Sequence, residues 1–323
     1  MLSENRIGKY LLYAIGEIVL VVIGILIALN LNNRNAQRKT EAKIESIFSD
    51  IMEELSSDIE KTTFIMRYYT RRDSMIYLVL NNKITAKDYE NNKIPSPFTW
   101  NLTGWHSMVN LTNDGYNNLI AYLDAIPSNY NEVLKDLNDL YSSRKKAVDV
   151  FDQGMGEMIE KNKDFQKRNY SWYAFRNETD RKNKLEYLLN DFRYINEVEE
   201  YRNKALNNHL RHSINYRLKA IECYKKIAKL LDKPTDHKSF VFDQEIANML
   251  VGEWQSVVQP EDVFTHFLKD KRLYGKNKVN QQWEIFYLYG NKIVDSDTDY
   301  ATIVQENGNI ILKYNSISLI KKD

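Results

Sequence analysis

Residues Leu11 to Leu31 read LLYAIGEIVLVVIGILIALNL, an apolar run interrupted by one carboxylate, Glu17, and one amide, Asn30. About 20 apolar residues are what a helix needs to cross a bilayer core, and no later stretch approaches this length. A secretory signal has a shorter apolar core, about 7–15 residues, followed by a small-x-small cleavage site. Here the run is followed by Asn32, Asn33 and Arg34. The expectation is an uncleaved signal anchor of a single-pass membrane protein: a short tail over 1–9, a transmembrane helix over 10–32, and everything beyond in water. The charged fraction of 28% and the negative mean hydropathy agree with a polar remainder.

Glu17 stands about 9 Å below the start of the run at about 1.5 Å per residue, where an ionised side chain costs a few kcal/mol. At about 100° per residue, Tyr13, Glu17, Leu20, Gly24, Ala28 and Leu31 share one stripe. Gly24 and Ala28 form a small-xxx-small pair, the spacing that lets helix backbones approach closely. Three readings of this membrane carboxylate follow. It snorkels or is protonated; it hydrogen-bonds across a helix–helix interface in a homo-oligomer or with a membrane protein partner; or it relays protons in a stator-like or accessory subunit of a membrane complex. The flanking basic residues, Arg6 and Lys9 before the run against Arg34, Arg38, Lys39 and Lys43 after it, place the large domain in the cytoplasm by a narrow margin.

The string GKYLLYAIGEIVLVVIGILIALNLNNRN resembles the N-terminal signature of a family of Gram-negative bacterial membrane proteins, domain of unknown function 6090, closely over Lys9 to Gln37 and loosely beyond. The family carries no established activity. Its members commonly have a further basic segment ahead of the signature, which would hold the N-terminus in the cytoplasm. The resemblance therefore implies a bacterial inner-membrane protein with a periplasmic soluble domain, the opposite of the local charge count.

Composition narrows the function classes. A formal charge of +1 without a basic stripe argues against nucleic acid as a partner. The single Cys223 rules out a disulfide framework or multi-cysteine metal cluster within one chain. Only 11 Gly and 5 Pro in 323 residues favour long helices.

From Thr40 to Asn82, apolar residues from Ile44 to Met66 recur at three- and four-residue spacing, predicting a helix that leaves the membrane after a short break at Asn30–Asn35, where four Asn lower helix propensity. Further helical patterns cover Tyr116–Asp124, Val133–Lys161 and Arg181–Leu231, with Ser128 as a candidate cap, Gly154 and Gly156 loosening the second, and Pro234 ending the last. The domain over 33–235 is thus expected to be an antiparallel bundle. The irregular stretch Asn91–Asn113, with Trp100 and Trp105, would drape across its end or side, either plugging it or offering partner contacts. His209 and His212 share a predicted face, but no third ligand is evident, so no metal is expected. No nucleophile motif, phosphate loop or dinucleotide fingerprint occurs, and neither catalytic residues nor a cofactor are expected.

Over 243–323 the pattern becomes short runs rich in β-branched and aromatic residues, separated by turns such as Asn307-Gly308. Gly252-Glu253-Trp254 resembles the opening Gly-x-Trp of lipocalin-like domains, where the Trp closes one end of a barrel. Since about 75 residues is short for eight strands, an antiparallel meander forming a partial barrel or curved sheet is expected. The fold class is mainly α with a C-terminal all-β part. The expected function is a membrane-anchored, non-enzymatic interaction, sensing or scaffold protein that oligomerises through its span. The alternatives are the proton-coupled subunit using Glu17, and a lipid or small-ligand carrier using the β domain and Trp254.

Overall fold

The computed structural model describes residues 4–90, 102–174, 176–237, 244–270, 272–289, 291–295, 300–314 and 317–322. A mainly helical N-terminal part is followed by a closed eight-stranded antiparallel barrel.

Helix α1 (Glu4–Leu80) is one helix of 77 residues, about 115 Å long at about 1.5 Å per residue. The expected break at Asn30–Asn35 does not occur. Adding a residue to an existing helix forms a hydrogen bond for each residue fixed, and the Asn penalty of a few tenths of a kcal/mol per residue does not outweigh it. The N-terminal part is long and apolar enough to cross a membrane. From Leu11 to Lys39 every described side chain is exposed, and burial starts only around Thr40. From Ile44 onward the same helix becomes the spine of the protein core: Phe48, Ile51, Leu55, Ile59 and Tyr69 are fully buried.

Beyond α1, the short helix α2 (Ala86–Glu90) is followed by the described segment Leu102–Asn113, which runs back along α1. Arg72 donates to the Leu102 carbonyl, Lys61 to that of Asn110, and Asp58 accepts from the Thr112 amide. Helix α3 (Asp114–Ile120) continues this descent, with Gly115 donating to Glu54 at 2.9 Å. A Cβ at Gly115 would stand 2.7 Å from Ile51 Cγ1, so only glycine permits this approach. The strap thus lies along the side of the helices. Trp100 falls outside the described residues.

Helix α4 (Asn131–Asp139) passes through a wide π-type turn (Leu140–Lys145) into α5 (Lys146–Asn169). The start lies where Pro127-Ser128 suggests, but Ser128 opens a 3₁₀ turn and caps nothing. Gly154 and Gly156 do not loosen the helix: the single-residue cost of glycine, about 1 kcal/mol, is small against the packing of Val148, Met155, Met158 and Ile159. Helix α6 (Glu178–Asn190) is capped by Asn177, and α7 (Phe192–Arg202) by Asp191. A second π-type turn (Asn203–Leu210) leads into α8 (Arg211–Leu230). Helix α8 returns along α1: Tyr216 meets Asp58 at 2.8 Å, and Lys233, just past its end, meets Ser49 at 2.6 Å.

Helix α9 (Gln244–Leu250) precedes strands β1 (Gly252–Ser256), β2 (Val263–Lys269), β3 (Arg272–Lys276), β4 (Gln282–Tyr289), β5 (Lys292–Asp295), β6 (Tyr300–Glu306), β7 (Asn309–Lys313) and β8 (Ser318–Lys321). Each strand pairs with the next, and β1 closes on β8 with Trp254 opposite Lys321. The expectation of a partial barrel is therefore corrected: strands of four to eight residues suffice for closure. In β3, Arg272 and Gly275 depart from a strand-like apolar alternation. Gly275 lies opposite Trp283, and a Cβ there would stand 2.4 Å from the indole. The Asn307-Gly308 turn joins β6 to β7 with both φ positive, 51° and 83°, as a two-residue hairpin requires.

Alternate residues divide between two cores. Trp254, Leu273, Ile285, Ile293, Ala301, Ile303, Leu312 and Leu319 pack inside the barrel, with Ala247 and Leu250 of α9 joining them. On the outer face, Phe286 and Val294 join the helical core. Around them, the Arg217 guanidinium lies 4.9 Å from the centre of the Phe286 ring and Lys292 pairs with Asp73 at 3.1 Å. The barrel is docked on α1 and α8 by its β4–β5 face.

Candidate functional site

A cluster of buried polar side chains sits beneath the Leu102–Asn113 strap, where α1, α5 and the α7–α8 turn meet. Tyr69 of α1 is fully buried, and its hydroxyl lies 2.6 Å from His209 Nδ1. The other imidazole nitrogen, Nε2, faces Asp152 Oδ1 of α5 at 3.5 Å, and His106 Nε2 of the strap faces the same oxygen at 3.4 Å. These three facing atoms are buried and make no hydrogen bond in this arrangement. A proton on Nε2 of His209 is the tautomer that suits both neighbours, because Nδ1 then accepts from Tyr69 while Nε2–H points at the carboxylate. Burial pulls the His209 pKa down to about 4, with Asp152 opposing the shift and His106 and His212 adding to it. Burial also pushes the Tyr69 phenol well above its ordinary value. Both groups are uncharged near neutrality.

The order hydroxyl, imidazole, carboxylate is that of an activated nucleophile. Tyr69 and His209 are both 0% exposed, closed in by the surrounding helices and the strap. Among the described residues, no group of three or more His, Cys, Asp or Glu side chains is arranged to hold a metal ion.

An aromatic layer covers the cluster. Tyr68 and Tyr201 both donate to the Trp105 carbonyl at 3.2 Å, and the Arg72 guanidinium lies 4.6 Å from the Tyr68 ring centre. The Trp105 indole stands edge-on to Tyr68 and is 49% exposed, so this side chain marks the surface above the buried groups.

The other residues singled out from sequence are spread along the molecule. Glu17, Gly24 and Ala28 lie on the exposed N-terminal part of α1, and no other atom approaches the Cβ position of Gly24 within 4 Å. Trp254 is fully buried inside the barrel, its Nε1 donating to the Leu250 carbonyl at 2.9 Å. His209 and His212 both turn toward α5: His209 is buried against Asp152 at 3.5 Å, while His212, nearer the surface, stacks on Phe151. Tyr69, His106 and Asp152 carried no local sequence signal; they are far apart in the chain and each sits in an ordinary helical or irregular context.

No curated protein and no solved structure matches the chain. Residues 17–100, from the carboxylate of the apolar run through α1 and α2 toward the strap, match the model of a family described as Family of unknown function (DUF6090).

Proposed function

We propose that this chain is a membrane-anchored, non-enzymatic interaction and sensing protein that assembles through its N-terminal helix and holds its helical bundle and barrel in the periplasm. The observation that carries the reading is the continuity of α1. The helix with the exposed apolar segment is also the helix from which the buried core is built, with Tyr69 of the polar cluster on it. A rotation or tilt of the first third of such a helix reaches the core without passing through a flexible joint. The exposed stripe containing Glu17, Gly24 and Ala28 supports assembly in the bilayer, where a polar side chain is best hidden against another helix. The inaccessible Tyr69 hydroxyl supports a role other than catalysis.

The test is the assembly state of the full chain in detergent. A defined multimer that Gly24→Leu dissociates is expected, because a Leu side chain at that position separates the backbones. A monomer under all mild detergents refutes assembly through the span. Reporter fusions at the C-terminus test the side of the membrane, with an active periplasmic phosphatase expected and a fluorescent cytoplasmic reporter excluding that placement.

A further inference from the structure

We infer that the groove where the end of α5 meets the α6–α7 corner binds a neutral oligosaccharide. The groove is an open surface depression of about 480 Å³, a volume within the range of small-ligand sites. Its lining comes from 169–172 and 183–193, and none of it from α1.

Its floor is a pile of rings. Tyr170 stacks on Trp172 at 4.8 Å, and Tyr187 leans on both at 4.8 and 5.0 Å. At the rim, Phe192 is 68% exposed, an unusual setting for a Phe in the first turn of a helix. The charges cancel locally. Arg193 grips Asp191 through both nitrogens of its fork, and the Tyr170 hydroxyl donates to the same carboxylate. With that ion pair closed, Glu186 is the lining's remaining charge, so the groove offers nothing to a phosphate or a carboxylate.

What remains is a set of groups that both donate and accept. Among the described residues, the exposed side chains of Asn183 and Ser171 have no hydrogen-bond partner. The Asn190 amide holds one oxygen of Glu186 at 2.8 Å, leaving its own carbonyl and the second carboxylate oxygen available. Sugar hydroxyls donate and accept at once, so they suit amides and a carboxylate, while the C–H face of a pyranose suits an exposed aromatic ring. A proline-rich peptide would want parallel exposed rings and few amides; here Trp172 and Tyr187 are buried to 4% exposure and amides are plentiful.

The experiment is calorimetric titration of the detergent-solubilised full chain with maltotriose, cellotriose and tri-N-acetylchitotriose, and with a proline decapeptide as the competing class. Saturable binding of at least one trisaccharide is expected, weakened roughly tenfold by Asn183→Ala and again by Phe192→Ala. Both side chains are exposed, so thermal unfolding of the two variants should match that of the parent. Failure of all three sugars to bind overturns the inference. So does sugar binding that both substitutions leave unchanged, and so does binding of the proline peptide that the same substitutions abolish.

Discussion

Acidification should weaken the helical part of this protein through His209, and the size of the effect follows from its burial. In the unfolded chain the imidazole titrates at its ordinary value of 6.5, and in the folded chain at about 4. Between those values the unfolded chain holds a proton that the folded chain refuses, so stability is full above about pH 6.5 and is lost as the pH falls toward 4. A shift of about 2.5 units at about 1.4 kcal/mol per unit gives about 3 kcal/mol in all, of which roughly 2–3 kcal/mol is lost between about pH 7.5 and about pH 4.5. Guanidinium unfolding followed by helical circular dichroism at those two pH values measures it. His209→Gln, which retains a polar group but cannot titrate, should flatten the acid loss by that amount. If the variant loses as much as the parent, the imidazole is not held neutral by the fold. If the parent instead grows more stable in acid, the Asp152 carboxylate outweighs burial, and the pKa is raised rather than lowered.

Three further outcomes test the packing. Tyr69→Phe removes the donor to His209 Nδ1 and leaves a buried acceptor unpaired, so denaturant unfolding should show a loss of about 1–3 kcal/mol. Gly115→Ala drives a methyl against Ile51 at 2.7 Å and should cost about 1–3 kcal/mol by overpacking, read as a lower thermal midpoint. Arg272→Met strands the buried carboxylate of Glu284, which Arg272 holds bidentately. It should destabilise the barrel by about 3–5 kcal/mol, with Arg272→Met combined with Glu284→Leu recovering most of the loss; tryptophan fluorescence of the barrel reports both.

The legible parts of the sequence are those in which one segment carries its own instruction. The apolar run and the repeat from Ile44 onward place α1 because helical hydrogen bonds and helix faces are local. Asn307-Gly308 announces its hairpin because the turn demands two residues with positive φ. Strand β3 is poorly marked in the sequence because Arg272 and Gly275 interrupt the apolar alternation, and only the next strand brings Glu284 to Arg272. The break expected at Asn30–Asn35 was a propensity argument, and weak propensities yield to a helix already extended on both sides.

The polar cluster was not legible in this way. Tyr69 and His209 are 140 positions apart, and neither lies in a motif; only the return of α8 along α1 and the descent of the strap bring them to Asp152 and His106. Barrel closure has the same character, since β1 must find β8 across the whole C-terminal part. Sequence by itself determined the apolar N-terminal run, the helical repeat from Ile44 onward, the helical middle, the strand-rich C-terminus and the resemblance to DUF6090, because periodicity and turn chemistry act within a few residues. The closed barrel, its docking through Phe286 and Val294, the buried imidazole and the aromatic groove were decided by tertiary structure, because each depends on which distant surfaces are removed from water together.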